Sequence, residues 1–142
     1  SAEPMGPDAA WPPPPDATID GPIPEPDIPV VDTLALADLS VAIGEAGVRD
    51  MLGVFESETL SRLNRLSDAT RDKAADQREI HTLKGAAGTV CARRLSTMAQ
   101  TLEAHLREGG TLETTDVIAL RQAFEAWRRE ARHRQREVAR AA

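Results

Sequence analysis

The chain has one cysteine, Cys91, so no internal disulfide can form and nothing in its cysteine usage suggests an oxidising compartment. No apolar run approaches the ~18 residues of a membrane span, and no basic stretch followed by an apolar one opens the chain, so neither a membrane anchor nor a secretory signal is expected. Aromatic residues are few: two tryptophans, two phenylalanines and no tyrosine. Proline is absent after Pro29. No strand is predicted anywhere. A phosphate-binding loop is missing too: in Lys84-Gly85-Ala86-Ala87-Gly88-Thr89 the lysine precedes the glycine and the context is helical. None of the three histidines pairs at metal-ligand spacing, so no metal and no cofactor is expected.

What is present divides at about residue 30. All ten prolines lie between Pro4 and Pro29, and residues 1–30 hold six acidic residues and no basic one. Six of the 23 acidic residues therefore lie in this segment, and the 17 that remain equal the 17 lysines and arginines, so the net charge of -6 belongs to residues 1–30. Such a segment cannot bury enough apolar surface to offset its ordering entropy, and 1–30 is read as a semi-extended, disordered linker. Trp11, Ile19 and Ile23 within it are read as incidental apolar residues, with a weak docking contact as the alternative. The chain opens inside this linker, which suggests a fragment of something longer.

Residues 31–142, rich in Ala, Leu, Arg and Glu, favour an all-α domain. A short helix is predicted after Asp32 and Thr33, good N-caps, through Leu34, Leu36, Leu39, Val41 and Ile43 to a stop at Gly44 and Gly47. An amphipathic helix follows over about 47–67, carrying Val48, Leu52, Phe55, Leu63 and Leu66. Ser67, Asp68 and Thr70 mark a turn. A further helix starts near 71 or 75 and runs to 91, another covers 93–108 before Gly109 and Gly110, and the last begins near Thr114 or Thr115 with Phe124 and Trp127 as core anchors. Helices joined by short loops pack as antiparallel neighbours, giving a four-helix bundle with a short extra N-terminal helix.

The informative stretch runs from Ile80 to Val90. Two glycines in the middle of a helix cost roughly 1 kcal/mol each relative to alanine. On a helical wheel Ile80, Leu83, Ala87 and Val90 form one apolar stripe, while His81 points off it with Gly85 and Gly88 on its own face. The arrangement bares the imidazole on a flat surface that another protein can approach. Lys84, one turn on, can stabilise negative charge gained by the ring. Two plainer readings compete: an ordinary tolerated histidine, and glycines that serve close helix packing. The second is disfavoured because the glycines lie off the apolar stripe.

The run His81-Thr82-Leu83-Lys84-Gly85-Ala86-Ala87-Gly88 resembles the signature of histidine phosphotransfer (HPt) domains of multistep phosphorelays. The resemblance covers roughly 33–139, including the leading helix and the four-helix layout. It implies that His81 is a phosphoacceptor, taking the group from an aspartyl phosphate on a receiver domain and passing it to another receiver aspartate. It also implies that Mg²⁺ belongs to the receiver and that the domain has no nucleotide site. Cys91 departs from the family, where many members carry glycine; this bears on how the helix ends and not on the chemistry.

If the helical hairpin turns near residue 92, Glu103 mirrors His81 and can accept a hydrogen bond from one ring nitrogen, leaving the other as nucleophile; the family commonly has Glu or Gln there. The alternative is a solvated charge. His105 should face away from Glu103. The run Arg128, Arg129, Arg132, Arg134, Arg136 and Arg140 is read as cations solvated at a helix C-terminus, with nucleic-acid binding as the weaker reading. The partners expected are therefore receiver domains, with no nucleic acid and no membrane contact. The linker suggests the C-terminal module of a cytoplasmic hybrid sensor kinase whose parent chain is anchored in the inner membrane. The competing functions are a helical interaction bundle without phosphotransfer, and a kinase dimerisation domain, which expects two long hairpin helices and an adjoining ATP-binding domain.

Overall fold

The computed structural model describes residues 27–141. Four helices follow one another: α1 (Thr33–Leu66), α2 (Lys73–Thr89), α3 (Arg93–Arg107) and α4 (Thr114–Ala141). Among the described residues there is no strand. Trp11, Ile19 and Ile23, like most of the segment 1–30, lie outside them.

Asp32 caps α1, its side chain accepting the N–H of Ala35 at 3.0 Å, and Asp72 caps α2 through the N–H of Ala75 at 2.7 Å. The stretches expected on either side of Gly44 and Gly47 meet at a single break. Gly44 alone leaves helical geometry, with φ 80° and ψ 163°, a conformation open to glycine. The leading stretch is thus the first part of α1. It buries Leu36 and leaves Leu34 and Val41 exposed.

The end of α2 accounts for Cys91. Val90 caps the helix and Cys91 takes a left-handed φ of 61°. The N–H of Cys91 bonds the carbonyl of Gly88 at 3.2 Å, and that of Ala92 bonds the carbonyl of Ala87 at 2.9 Å. This is the paired closure that glycine usually supplies. Cysteine holds the position because its side chain is buried in the core. Burial, and then the charge of Asp32, push its thiol up, away from the reactive thiolate. The Cys91 carbonyl accepts the N–H of Asp32 at 2.9 Å, joining the start of α1 to the α2–α3 turn.

α1 packs on α2 and α4, and α3 on α2 and α4, which closes the bundle; α2 and α3 form its most intimate pair. The centre is aromatic: Phe55 of α1 meets Trp127 edge-on at 4.9 Å between centroids, and Trp127 stacks on Phe124 at 6.0 Å. Along the hairpin, Gln77 donates to the Leu106 carbonyl near the end of α3, and Ser96 near its start donates to the Lys84 carbonyl, so the two helices run antiparallel.

The basic run of α4 is not merely solvated. Arg128 and Arg132 pair with Glu56 at 3.3 and 2.8 Å, Arg134 pairs with Glu45 at 3.0 Å, and Arg140 pairs with Glu137. Arg128 also lies over the Phe124 ring, 5.5 Å from its centroid. The reason is topological: antiparallel packing lays the acidic residues of α1 along the arginines of α4.

Candidate functional site

The site is built on the outer face of α2. Ile80, Leu83 and Ala87 are fully buried and fix the rotation of the helix. Glu79 locks the same rotation from α1: Arg62 and Arg65 each reach it at 2.5 Å. His81 is then forced outward, and its side chain is 66% exposed. Gly85 and Gly88 lie on the same exposed surface. A Cβ on Gly85 would meet nothing within 4 Å, and one on Gly88 only the hydroxyl of Ser96 at 3.7 Å. The glycines do not serve helix packing, because no neighbouring helix needs their missing side chains. They leave the surface beside the ring bare.

One of the two ring nitrogens is taken. His81 Nδ1 lies 2.5 Å from Glu103 Oε2 across the α2–α3 hairpin. Glu103 projects from the otherwise apolar face of α3 that carries Leu95, Met98, Ala99, Leu102 and Leu106, and its side chain is only 6% exposed. It is a buried carboxylate, not a solvated charge. Lys84 Nζ donates to its other oxygen at 2.6 Å, so the lysine is held on the carboxylate in this state. Arg107, one turn beyond Glu103 on α3, reaches Oε2 at 3.0 Å. The hydrogen bond from Lys84, that from His81 and the charges of Arg107 and Lys84 hold Glu103 below the usual glutamate range against the opposing effect of burial.

The structure therefore brings His81, Lys84 and Glu103 into one connected group, with Gly85 and Gly88 on the adjoining surface. His105 faces elsewhere: its ring lies against Gly110, just past the end of α3. Sequence reasoning missed Arg107. The signal was there, since an acidic residue followed by an arginine four positions later shares a helix face. It also missed Ser96, which bonds the Lys84 carbonyl at 3.1 Å and lies under Gly88. Nothing but the hairpin register could have found it.

Chemically, the arrangement is an exposed imidazole with one nitrogen held by a buried carboxylate, the other turned to solvent, and an ammonium within one helical turn. It defines a helical bundle built to present one nucleophilic ring to another macromolecule. The Hpt domain family matches residues 50–130, more than half of the chain and all of the site, and the chain belongs to that family. It is also similar to the phosphorelay protein LuxU of Vibrio vulnificus strains YJ016 and CMCP6, with 35% identity over 102 residues in each case, covering 65% of this chain and 89% of LuxU. No solved structure matches the chain.

Proposed function

We propose that this protein is a phosphorelay intermediate that takes a phosphoryl group from a receiver-domain aspartate onto His81 and passes it to the aspartate of another receiver. The observation that carries the reading is the exposed ring tied through Nδ1 to a buried carboxylate. With the Nδ1 hydrogen on Glu103, the lone pair of Nε2 is free to attack phosphorus. The N–P bond forms as the P–O bond of the acyl phosphate breaks, and the receiver's carboxylate leaves with the electron pair. The ring keeps its Nδ1 hydrogen and becomes cationic, which Glu103 stabilises and which eases departure of the group to the next aspartate. Lys84 offsets charge on the phosphoryl oxygens. Gly85 and Gly88 let the receiver's active site approach the ring. The Mg²⁺ that this chemistry uses sits on the receiver.

The finer reading is that the domain stands behind a receiver on a cytoplasmic hybrid sensor kinase, with the acidic, proline-rich segment 1–30 as tether. A full-length parent chain would then show His81 labelling whose rate does not depend on protein concentration.

The central test is incubation with a phosphorylated receiver. The label should be acid-labile and base-stable, as a phosphohistidine is, and His81→Gln should abolish it while helical content is unchanged, because the ring fills no core space. Labelling retained in that variant would overturn the assignment; a wild-type domain that takes no label would favour a plain interaction bundle.

A further inference from the structure

The Glu103 carboxylate holds one partner more than orienting a ring requires. Oε1 accepts a hydrogen bond from Lys84 Nζ at 2.6 Å, whereas Oε2 lies 2.5 Å from His81 Nδ1 and also forms an ion pair with the Arg107 guanidinium, Nη2 at 3.0 Å. Arg107 is 65% exposed and lines the shallow groove on the N-terminal side of the ring with Gln77 and Arg78 of α2. Lys84 lies on the other side, one turn towards the C-terminus. His81 thus sits between two cations that meet at one carboxylate.

Arrival of a phosphoryl group makes two anions compete for Lys84. If the ammonium turns to the phosphoryl oxygens, a carboxylate with 6% exposure loses its closest counter-ion. A buried carboxylate stripped of its cation is strongly destabilised and tends to take up a proton. It would then cease to hold the cationic ring through Nδ1. A guanidinium already on Oε2 removes that conflict: it keeps its own charge at any ordinary pH and presents fixed N–H donors to a carboxylate.

We propose that Arg107 is the resident counter-ion of Glu103, keeping that carboxylate charged and bonded to His81 Nδ1 while Lys84 turns to the phosphoryl group. The inference rests on the reading of His81 as phosphoacceptor. Arg107 acts only through Glu103, so it is a positioning residue. The charged and titratable groups that face Glu103 among the described residues are His81 and Lys84 from α2 and Arg107 on its own helix.

The test uses the whole chain as wild type, Arg107→Gln and Arg107→Lys, with a phosphorylated receiver as donor. Transfer is timed across pH, and the Nδ1–H proton signal of His81 is followed by NMR against pH in the unphosphorylated protein. Arg107→Gln should slow transfer about three- to fivefold near neutrality, the scale of one largely exposed charge interaction. Its rate should fall off at a higher pH than that of wild type, and the Nδ1–H signal should be lost at a correspondingly higher pH. Arg107→Lys should restore most of the rate and of the pH profile. Melting temperatures should agree closely, because the side chain is exposed. Wild-type rates at every pH in Arg107→Gln, with an unmoved ring signal, would overturn the inference while leaving phosphotransfer intact. A wild-type chain that takes no label would instead overturn the phosphotransfer reading, and the inference with it.

Discussion

A carboxylate with 6% exposure that holds an imidazole, an ammonium and a guanidinium must stay ionised to keep them. Glu103 is held below the ordinary glutamate range, first by its hydrogen bond from Lys84. Its folded value is thus lower than its unfolded one. The stability this contributes is present in full above the unfolded value and is lost as pH falls through the folded one. Asp76 and Asp116 work in the other direction, since burial raises both and acid relieves them. Only a comparison of variants isolates Glu103. The melting-temperature gap between wild type and Glu103→Gln should be constant near neutrality and should narrow below the ordinary glutamate value. Glu103→Ala should cost about 1 kcal/mol by removing the hydrogen bonds of Lys84 and His81, whose donors can turn to water, and should slow transfer about tenfold or more by loosening the ring. Glu103→Gln should be milder, because an amide oxygen still accepts the Nδ1 hydrogen. If Glu103→Ala transfers at the wild-type rate, the carboxylate does not orient the ring.

At the scale of the helix, α2 was largely legible in the sequence. Its apolar stripe placed Ile80, Leu83 and Ala87 inward and His81 outward, and the structure has them so. Antiparallel register likewise set Glu103 opposite His81. Other features were hidden because they depend on contacts distant in sequence. Lys84 was read for the phosphoryl group, yet in this state it lies on Glu103, nineteen positions away. The arginines of α4 pair with Glu45 and Glu56 of α1, Arg134 with Glu45 across 89 positions and Arg132 with Glu56 across 76, which composition cannot show. Cys91 in a left-handed conformation was hidden for another reason: only the closure of α2 imposes it. The glycines carry a prediction at this scale. Space beside Gly85 and Gly88 is open, so Gly85→Ala should stabilise the domain by up to about 1 kcal/mol, by removing the cost of a glycine inside a helix. Gly85→Gln or Gly88→Gln should fold equally well yet slow transfer, because a long side chain would lie beside the ring where the receiver docks. Transfer rates unchanged in both glutamine variants would show that a bare surface is not needed.

At the scale of the whole molecule, composition places a boundary at about residue 30, where the prolines end and the acidic excess stops. The structure adds contacts from two residues, Ile28 and Val30, at the end of the proline-rich segment. The carbonyl of Ile28 accepts a hydrogen bond from Arg94 Nε at 2.9 Å, and Val30 packs against the core beside buried Val31. From there the Asp32 bond to the Cys91 carbonyl leads into α1, so this short stretch fastens the start of the bundle to the α2–α3 turn. Two truncations should therefore behave differently. Removing residues 1–26 should change stability by less than about 0.5 kcal/mol, as for surface changes away from packed features. Removing residues 1–30 deletes a hydrogen-bond acceptor and a partly buried valine, and should cost about 1–2 kcal/mol. For a domain of this size that is a drop of about 3–8 °C in Tm. Neither truncation should alter the rate at which His81 is labelled, since the contacts removed lie at the far end of α2 from the ring, about ten residues or ~15 Å along the helix. Equal melting temperatures for the two truncations would show that the Ile28 and Val30 contacts contribute nothing. A shorter domain that melts lower and also labels more slowly would show instead that the α2–α3 turn controls the pose of His81.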